Sequence, residues 1–99
     1  MVCVVWEFVA RPDRVGDFEN YDASSGSWAG LFRRSEGFRG TALLRDAENA
    51  RRFLIIDSWE NASAYRAMRE RFRKEYVELD RVCEGFRESE RRIGEFEER

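Results

Sequence analysis

The segment 28–59 places the tightest limits on what this chain can fold into. It begins with an apolar stripe at i, i+3 and i+4, the spacing of one helix face, formed by Trp28, Leu31 and Phe32. Gly37 follows at a position where a helix commonly ends in the left-handed conformation. Two runs rich in apolar residues come next, separated by a turn at 46–49. The segment therefore predicts the end of a helix, a turn and an antiparallel hairpin.

Four segments have the composition of strands, and the hairpin contributes two of them. The predicted strands are Val2–Ala10, Phe38–Ala47, Arg51–Trp59 and Glu88–Arg99. In the first strand, alternation places Trp6 on one face and Glu7 on the other, where Glu7 is the only charge. The third strand is apolar on both faces at its centre, which predicts a sheet that is covered on both sides. The spacing of Ile93 and Phe96 predicts a bulge at Gly94.

Helices are predicted between the strands. Pro12–Asp13 is suited to the first turn of a helix, which the segment 23–27 interrupts, and Ser27 can cap a second helical segment. Asn61 can cap a long helix, with a possible break at Lys74–Glu75. The apolar stripe of that helix comprises Tyr65, Met68, Phe72, Tyr76, Leu79, Val82 or Cys83, and Phe86.

The order of elements, βαββαβ, predicts a ferredoxin-like α+β fold with an antiparallel sheet. A chain of 99 residues fits a single domain over 1–99. A domain this small has a modest core, so a second subunit would help to bury apolar surface.

Charge and cysteine content narrow the possible functions. Lysine, arginine, aspartate and glutamate make up 38% of the chain, but the net charge is only −2 and the two signs alternate. This pattern argues against a nucleic-acid partner and against a membrane partner. Cys3 and Cys83 belong to no metal-binding or redox motif, so reduced thiols and a cytoplasmic location are expected. The N-terminus lacks the basic leader of a signal peptide.

Several short motifs resemble the antibiotic biosynthesis monooxygenase-like family. They are the turn Gly37–Thr41 leading into Leu43–Arg45, the strand end Asp57–Trp59, the helical run Tyr76–Asp80 and the closing Ile93–Phe96. The resemblance extends over nearly the whole chain and implies a dimeric α+β barrel, in which two copies of the chain pair their sheets across a two-fold axis. The expected partners are therefore a second copy of the chain and a small aromatic ligand.

The resemblance also implies a range of activities. The family includes cofactor-free oxygenases that convert polycyclic phenols into quinones, and it includes heme-degrading enzymes that use a histidine ligand. This chain contains no histidine, so the heme-degrading alternative lacks its usual ligand. We therefore expect a cofactor-independent monooxygenase acting on a polyphenolic, polyketide-like substrate, without a metal. The alternatives are a non-catalytic small-molecule-binding or accessory module, and a polyketide cyclase or isomerase of the same fold.

Such a site needs an apolar slot for flat rings, and this chain is rich in aromatic residues. The candidate substrate-binding aromatics are Trp28, Phe32, Trp59, Tyr65 and Phe72, with Trp6 as a further residue that could line the slot. The alternative for each of them is a place in the core, because aromatic residues dominate the cores of small domains.

The site also needs polar groups that hold or deprotonate a phenol. Glu7 and Asp57 are carboxylates within apolar strands, and Tyr65 carries a hydroxyl, so these three are the candidate catalytic residues. Arg45 could bind an anionic ligand. The alternatives for the two carboxylates are an ion pair with Arg45 or Arg39, since buried charges are usually paired, and exposure at a strand end.

Overall fold

The computed structural model describes residues 1–99 and contains four strands and four helices in the predicted order. The elements are β1 (Val2–Ala10), α1 (Val15–Asp22), α2 (Ser27–Phe32), β2 (Phe38–Asp46), β3 (Asn49–Trp59), α3 (Ala62–Arg71), α4 (Arg73–Glu84) and β4 (Arg87–Glu97). The longest helix, α4, has 12 residues, and none of the helices has the length and apolar character needed to cross a bilayer.

The strands form one antiparallel sheet with the order β2-β3-β1-β4. The hairpin strands β2 and β3 are neighbours, whereas β1 lies between β3 and β4 at the centre. This arrangement confirms the predicted α+β ferredoxin-like fold. The strands at the two edges are β2 and β4, and β4 is exposed along most of its length, as its polar sequence suggests.

The core lies between one face of the sheet and the four helices. Alternate residues of β1 and β3 point toward the helices, so that Val4 and Phe53 are each only 1% exposed. The sheet contributes Val2, Val4, Phe8, Ala10, Phe53, Ile55 and Trp59 to this core, and the helices contribute Phe18, Trp28, Leu31, Phe32, Met68, Phe72 and Cys83. One apolar face on each element is thus buried against the other layer.

The opposite face of the sheet has no covering layer within the chain, so the predicted cover on this side would have to come from another molecule. We call it the outer face; its apolar residues are Cys3, Val5, Val9, Ala42, Leu44, Leu54, Ile56 and Phe96. Leu44 and Phe96 are about half exposed, at 50% and 51%. The sequence pattern records apolar character on both faces, but it does not distinguish cover by the chain's own helices from cover by another molecule.

Gly37 connects α2 to β2 in a backbone conformation that other residues rarely adopt. Its φ is +88°, which confirms the predicted left-handed turn. A Cβ atom at this position would lie 2.8 Å from the Cβ of Ala64 on α3. The predicted irregularity at Gly94 is also present, because the register between β1 and β4 shifts between Val5 and Trp6, where Gly94 and Arg92 are their partners.

The helix boundaries differ from the prediction at three places. The first helix begins at Val15 rather than at Pro12–Asp13. Gly26, rather than Ser27, is the N-cap of α2, and a Cβ there would come within 2.5 Å of the Asn20 carbonyl oxygen. The predicted long helix divides into α3 and α4 at Phe72, before Lys74–Glu75.

The start of α3 follows the prediction. The Asn61 side chain accepts a hydrogen bond from the Ala64 backbone N–H at 2.8 Å and thereby caps the helix. The turn at Phe72 (φ −109°, ψ 28°) allows both halves of the long apolar stripe to pack on the same sheet face.

Candidate functional site

A cavity of about 200 Å³ lies between the sheet and the helices, above the centre of β1 and β3. Its apolar wall consists of Trp6, Phe8, Trp28, Phe32, Ile55 and Tyr76. Its polar groups are Asp22, Thr41, Asp57, Arg69, Asp80, Arg87 and Glu90. Two other depressions, of about 300 and 570 Å³, lie on the surface of α3 and α4 and are lined mainly by charged side chains. Of these three, the cavity above the sheet is the one that combines aromatic walls with buried carboxyl groups.

Trp28 and Phe32 form the aromatic wall on the helix side. They lie on consecutive turns of α2, and their ring centroids are 5.9 Å apart. The indole of Trp28 also contacts the ring of Tyr76 edge-on at 4.9 Å. On the sheet side, the stacked rings of Trp6 and Phe8 are 6.0 Å apart. Flat apolar surfaces therefore face the cavity from both layers.

Asp57 is a buried carboxyl group on the floor of this cavity. It lies on β3 with 8% exposure, and its Oδ1 atom accepts a hydrogen bond from the Thr41 hydroxyl at 2.7 Å. Burial raises the pKa of Asp57 to about 6, although the hydrogen bond from Thr41 acts in the opposite direction. It forms no ion pair with Arg45 or Arg39; Arg39 lies 3.6 Å from Glu60 instead. Asp57 is therefore a buried acid that changes its charge close to neutral pH.

Asp22 is a second buried carboxyl group in the cavity wall, and it is not among the site residues predicted from the sequence. It is the last residue of α1, is 3% exposed, and its Oδ2 atom has no hydrogen-bond partner. Burial raises the pKa of Asp22 to about 7; the charge of Arg87 lowers it and the charge of Asp57 raises it further. The sequence does indicate that Asp22 is buried, because Asp22 lies four residues after Phe18 and therefore on the same, buried face of α1.

Arg87 is the buried cation of the cavity. Its Nη1 atom lies 2.9 Å from Asp80 and 3.2 Å from Glu90, and its guanidinium stacks 4.7 Å from the centre of the Phe8 ring. The Nε atom is buried without a hydrogen-bond partner. Asp80 and Glu90 are partly exposed and lie where the cavity reaches the surface. Arg87 thus joins the mouth of the cavity to its interior.

Arg69 connects the cavity to Tyr65. Its guanidinium lies 4.1 Å from the centre of the Tyr76 ring and donates a hydrogen bond to the Tyr65 hydroxyl at 3.0 Å. Burial raises the pKa of Tyr76 to about 12, so this phenol stays protonated across the physiological range. The ring of Tyr65 packs against Trp59 and does not line the cavity. Tyr65 therefore touches the site only through Arg69.

The structure brings together four of the residues selected from the sequence, namely Trp6, Trp28, Phe32 and Asp57. Trp59 and Phe72 lie in the core at 0% and 5% exposure and are not part of the cavity wall.

The two remaining candidates lie away from the cavity. Glu7 is on the outer face of the sheet, where it forms ion pairs with Arg52 and Arg91. Hydrogen bonding to Arg52 lowers the pKa of Glu7. Arg45 is exposed near the end of β2. Alternation fixes which residues share a face of a strand, but it does not tell which face the helices cover.

The cavity contains further polar residues that were not predicted from the sequence. Arg69, Asp80, Arg87 and Glu90 lie on three different elements, and their charges resemble those of any solvated helix or strand. No group of three or more histidine, cysteine, aspartate or glutamate side chains is arranged to hold a metal ion.

The fold and the cavity define an α+β sandwich with an open sheet face and an internal, aromatic-lined site. A family model described as antibiotic biosynthesis monooxygenase matches residues 1–71, more than half of the 99 residues. The chain therefore belongs to the antibiotic biosynthesis monooxygenase family.

Solved structures show the same fold. SnoaB, a cofactor-independent oxygenase from Streptomyces nogalater, superposes with a TM-score of 0.81 at 21% identity, over 99% of this chain and 92% of SnoaB. A point mutant of SnoaB gives a TM-score of 0.83 at the same identity and coverage. A conserved protein from Methanosarcina mazei gives 0.70 at 13% identity, over 99% of this chain and 92% of its own. No curated protein matches the sequence.

Proposed function

We propose that this protein is a cofactor-independent monooxygenase that oxidises a small polyphenolic substrate in the cavity above β1 and β3. The observation that carries the proposal is the pairing of aromatic walls with the buried carboxyl group of Asp57. A flat phenol would lie between the rings of Trp6 and Trp28, and polar groups of the cavity would hold its oxygen atoms. Family membership and the fold shared with SnoaB support the same class of reaction.

In this reaction the substrate itself supplies the electrons to dioxygen. The phenol loses a proton, and the electron-rich ring then transfers electrons to dioxygen. One oxygen atom enters the ring as a quinone carbonyl, and the other leaves as water with two hydrogens from the substrate. The protein has to bind the ring, accept the proton and exclude bulk water from the reactive intermediate.

The size of the cavity limits the substrate. Its volume of about 200 Å³ lies below the roughly 300–1,000 Å³ of pockets for drug-sized ligands. A single-ring or two-ring phenol fits best, whereas a larger polycycle would extend through the mouth between Asp80 and Glu90. The substrate class proposed here is therefore a compact phenol or one end of a larger aromatic molecule.

A proton-transferring cyclase or isomerase is the second candidate. Asp22 and Asp57 both have pKa values raised toward neutrality, to about 7 and about 6, and a pair of such acids can move a proton between two positions of a ring. This reaction needs no dioxygen. A binding or accessory module is the remaining alternative, and it would show affinity for phenols without turnover.

The test is oxygen uptake with a hydroxyanthrone and with a naphthalenediol, in the presence of a metal chelator. The monooxygenase consumes dioxygen as quinone absorbance appears, and Asp57→Asn slows that reaction. Asp13→Asn, an identical change at an exposed position before α1, is the matched control and should retain the wild-type rate. Ring closure or isomerisation without oxygen uptake would support the second candidate instead.

The proposed assembly is a homodimer in which two outer faces pack together. Val5, Ile56, Leu44 and Phe96 form apolar surface that the chain does not cover. Sheets of two copies that stack at about 10 Å would bury this surface. The free thiols Cys3 and Cys83 fit the proposal of a cytoplasmic protein.

A further inference from the structure

The carboxyl group of Asp22 has no structural role that the rest of the molecule explains. It is 97% removed from solvent, given its 3% exposure, and one of its oxygens, Oδ2, has no hydrogen-bond partner. No arginine or lysine forms an ion pair with it within 4 Å, because Arg87, the nearby cation, pairs with Asp80 and Glu90. A buried carboxylate in this state destabilises the fold, and such groups are characteristic of functional sites.

The position of Asp22 at the end of α1 adds to this cost. The C-terminal end of a helix carries partial negative charge from its free carbonyl groups, which disfavours a carboxylate there. Aspartate is favoured at the opposite end of a helix. Both the helix and the burial therefore make the carboxylate of Asp22 a readier proton acceptor than an exposed aspartate.

Asp57, the other buried acid, differs from Asp22 in its hydrogen bonding. Its Oδ1 atom already accepts a hydrogen bond from the Thr41 hydroxyl, whereas Asp22 Oδ2 accepts none. Asp22 and Arg87 both line this cavity, and the Nε–H of Arg87 is likewise buried without a hydrogen-bond partner. A phenolic hydroxyl can donate to a carboxylate and accept from a guanidinium at the same time. These two unpartnered groups are thus complementary to the two hydrogen-bonding functions of a phenol.

We infer that Asp22 is the general base of this site and accepts the hydroxyl proton of a bound phenol. The O–H bond of the phenol breaks, the proton moves to a carboxylate oxygen of Asp22, and the electron pair remains on the phenolate oxygen. The guanidinium of Arg87 then faces the new negative charge. As a step in oxidation this inference rests on the proposed function, but proton acceptance itself requires no dioxygen.

The ionisation of Asp22 suits this role. Its pKa of about 7 means that a large share of the molecules carry the carboxylate at neutral pH, while the base remains strong enough to take a proton. The charged and titratable groups that face it are Arg87 on β4, Asp57 on β3 and Cys83 on α4. Burial raises the pKa of Cys83 to about 11, so this thiol stays neutral and does not compete for the proton.

The test measures proton uptake when 4-nitrophenol binds, by calorimetry at pH 8 in two buffers with different ionisation enthalpies. At this pH the free probe is mainly phenolate and Asp22 is mainly ionised. The wild-type complex is expected to take up about one proton, shared between the two oxygens. Asp22→Asn binds the probe with no uptake, whereas Asp13→Asn, the same change at an exposed position outside the cavity, retains it. Uptake that persists in Asp22→Asn, or that is lost only in Asp57→Asn, would overturn the assignment.

Oxygen uptake with the hydroxyanthrone separates this inference from the proposed function. Asp22→Asn is expected to slow oxidation at least about 100-fold, the usual contribution of a general base. Proton uptake without oxygen consumption in the wild-type protein would leave Asp22 as the proton acceptor and refute the monooxygenase. Equal oxidation rates in the wild type and Asp22→Asn would refute the role of Asp22 and leave the monooxygenase intact. Failure of the wild type to bind 4-nitrophenol would contradict both.

Discussion

At the scale of single residues, two carboxyl groups buried in one cavity make the stability of this protein depend on pH. Asp22 and Asp57 have pKa values of about 7 and about 6, against an ordinary value of 3.8. Raised values mean that the protonated forms favour the folded state. The stabilisation is fully present below pH ~4 and is lost as the pH rises through the folded-state pKa values. The chain should therefore be less stable at pH 8 than at pH 5.

Asp22→Asn removes this pH dependence at one position. Asparagine is neutral at every pH, so we expect the variant to match the wild type near pH 4 and to exceed it at pH 8. The gain in the free energy of unfolding is on the order of 4 kcal/mol at most, from a shift of about three pKa units. Urea denaturation at both pH values measures it, with Asp13→Asn as the control. A variant whose stability falls with pH as steeply as the wild type would contradict the pKa of Asp22.

Trp59 shows how a residue can resemble a ligand contact in the sequence and pack in the core instead. Its ring is 0% exposed and contacts Phe32, Phe38 and Tyr65 at centroid distances of 5.4, 5.1 and 5.7 Å. Trp59→Ala should lower the free energy of unfolding by about 3–5 kcal/mol. Trp6→Ala, which removes a half-buried indole from the cavity wall, should cost less. Equal losses in urea denaturation would show that Trp59 is not the more important packing residue.

At the scale of elements, the sequence predicted most of the fold. Three features depend only on local sequence and occur at the predicted positions. They are the alternation in β1, the turn at Gly37 and the cap at Asn61. The break at Phe72 differed because both halves of α3–α4 continue the same apolar spacing. Tertiary packing on the sheet, which local periodicity does not record, determines where that stripe bends.

The site was predicted less completely, and the reason is geometric. Trp28, Phe32 and Asp57 lie on predicted elements and do line the cavity. Glu7 resembles Asp57 in the sequence, but it lies on the opposite face of the sheet, paired with Arg52. Residues such as Arg87 come from a distant part of the chain and are brought to the cavity only by the pairing of β4 with β1.

Gly37 gives a direct test of the connection between α2, β2 and α3. Gly37→Ala forces a Cβ into a backbone with φ of +88° and to within 2.8 Å of the Ala64 Cβ. We expect a loss of about 1–3 kcal/mol in the free energy of unfolding. Gly16→Ala lies in α1 with open space around it and should instead gain about 0.5–1 kcal/mol. Thermal denaturation measures both effects. If both substitutions stabilised the protein, or both destabilised it, this explanation would be contradicted.

At the scale of the whole molecule, the exposed apolar residues of the outer face predict an interface with another molecule. Large apolar side chains on a sheet face are seldom left in water, and here they span all four strands. A second copy of the chain would cover the face and leave the cavity, on the other side of the sheet, accessible. Each subunit of the proposed dimer would then carry one independent site.

Ile56→Lys tests the proposed dimer at the centre of the outer face, where Ile56 lies between Val5 and Ala42. We expect a dimer for the wild type and a monomer for the variant at micromolar concentration, measured by size-exclusion chromatography with light scattering. Burying an unpaired lysine ammonium in this apolar interface would cost more desolvation free energy than the association of the two faces provides. Val77→Lys changes a 49% exposed residue on α4 and should remain dimeric. A monomeric wild type would refute the dimer.

The central claim is that the cavity above β1 and β3 oxidises phenols with dioxygen and without a cofactor. An oxygen electrode combined with absorbance of the quinone tests it most directly, with metal-free wild-type protein and a hydroxyanthrone in the presence of chelator. We predict one dioxygen consumed for each quinone formed, at a rate proportional to protein concentration and reduced in Asp57→Asn. A protein that binds the phenol in this cavity but consumes no dioxygen would contradict the claim.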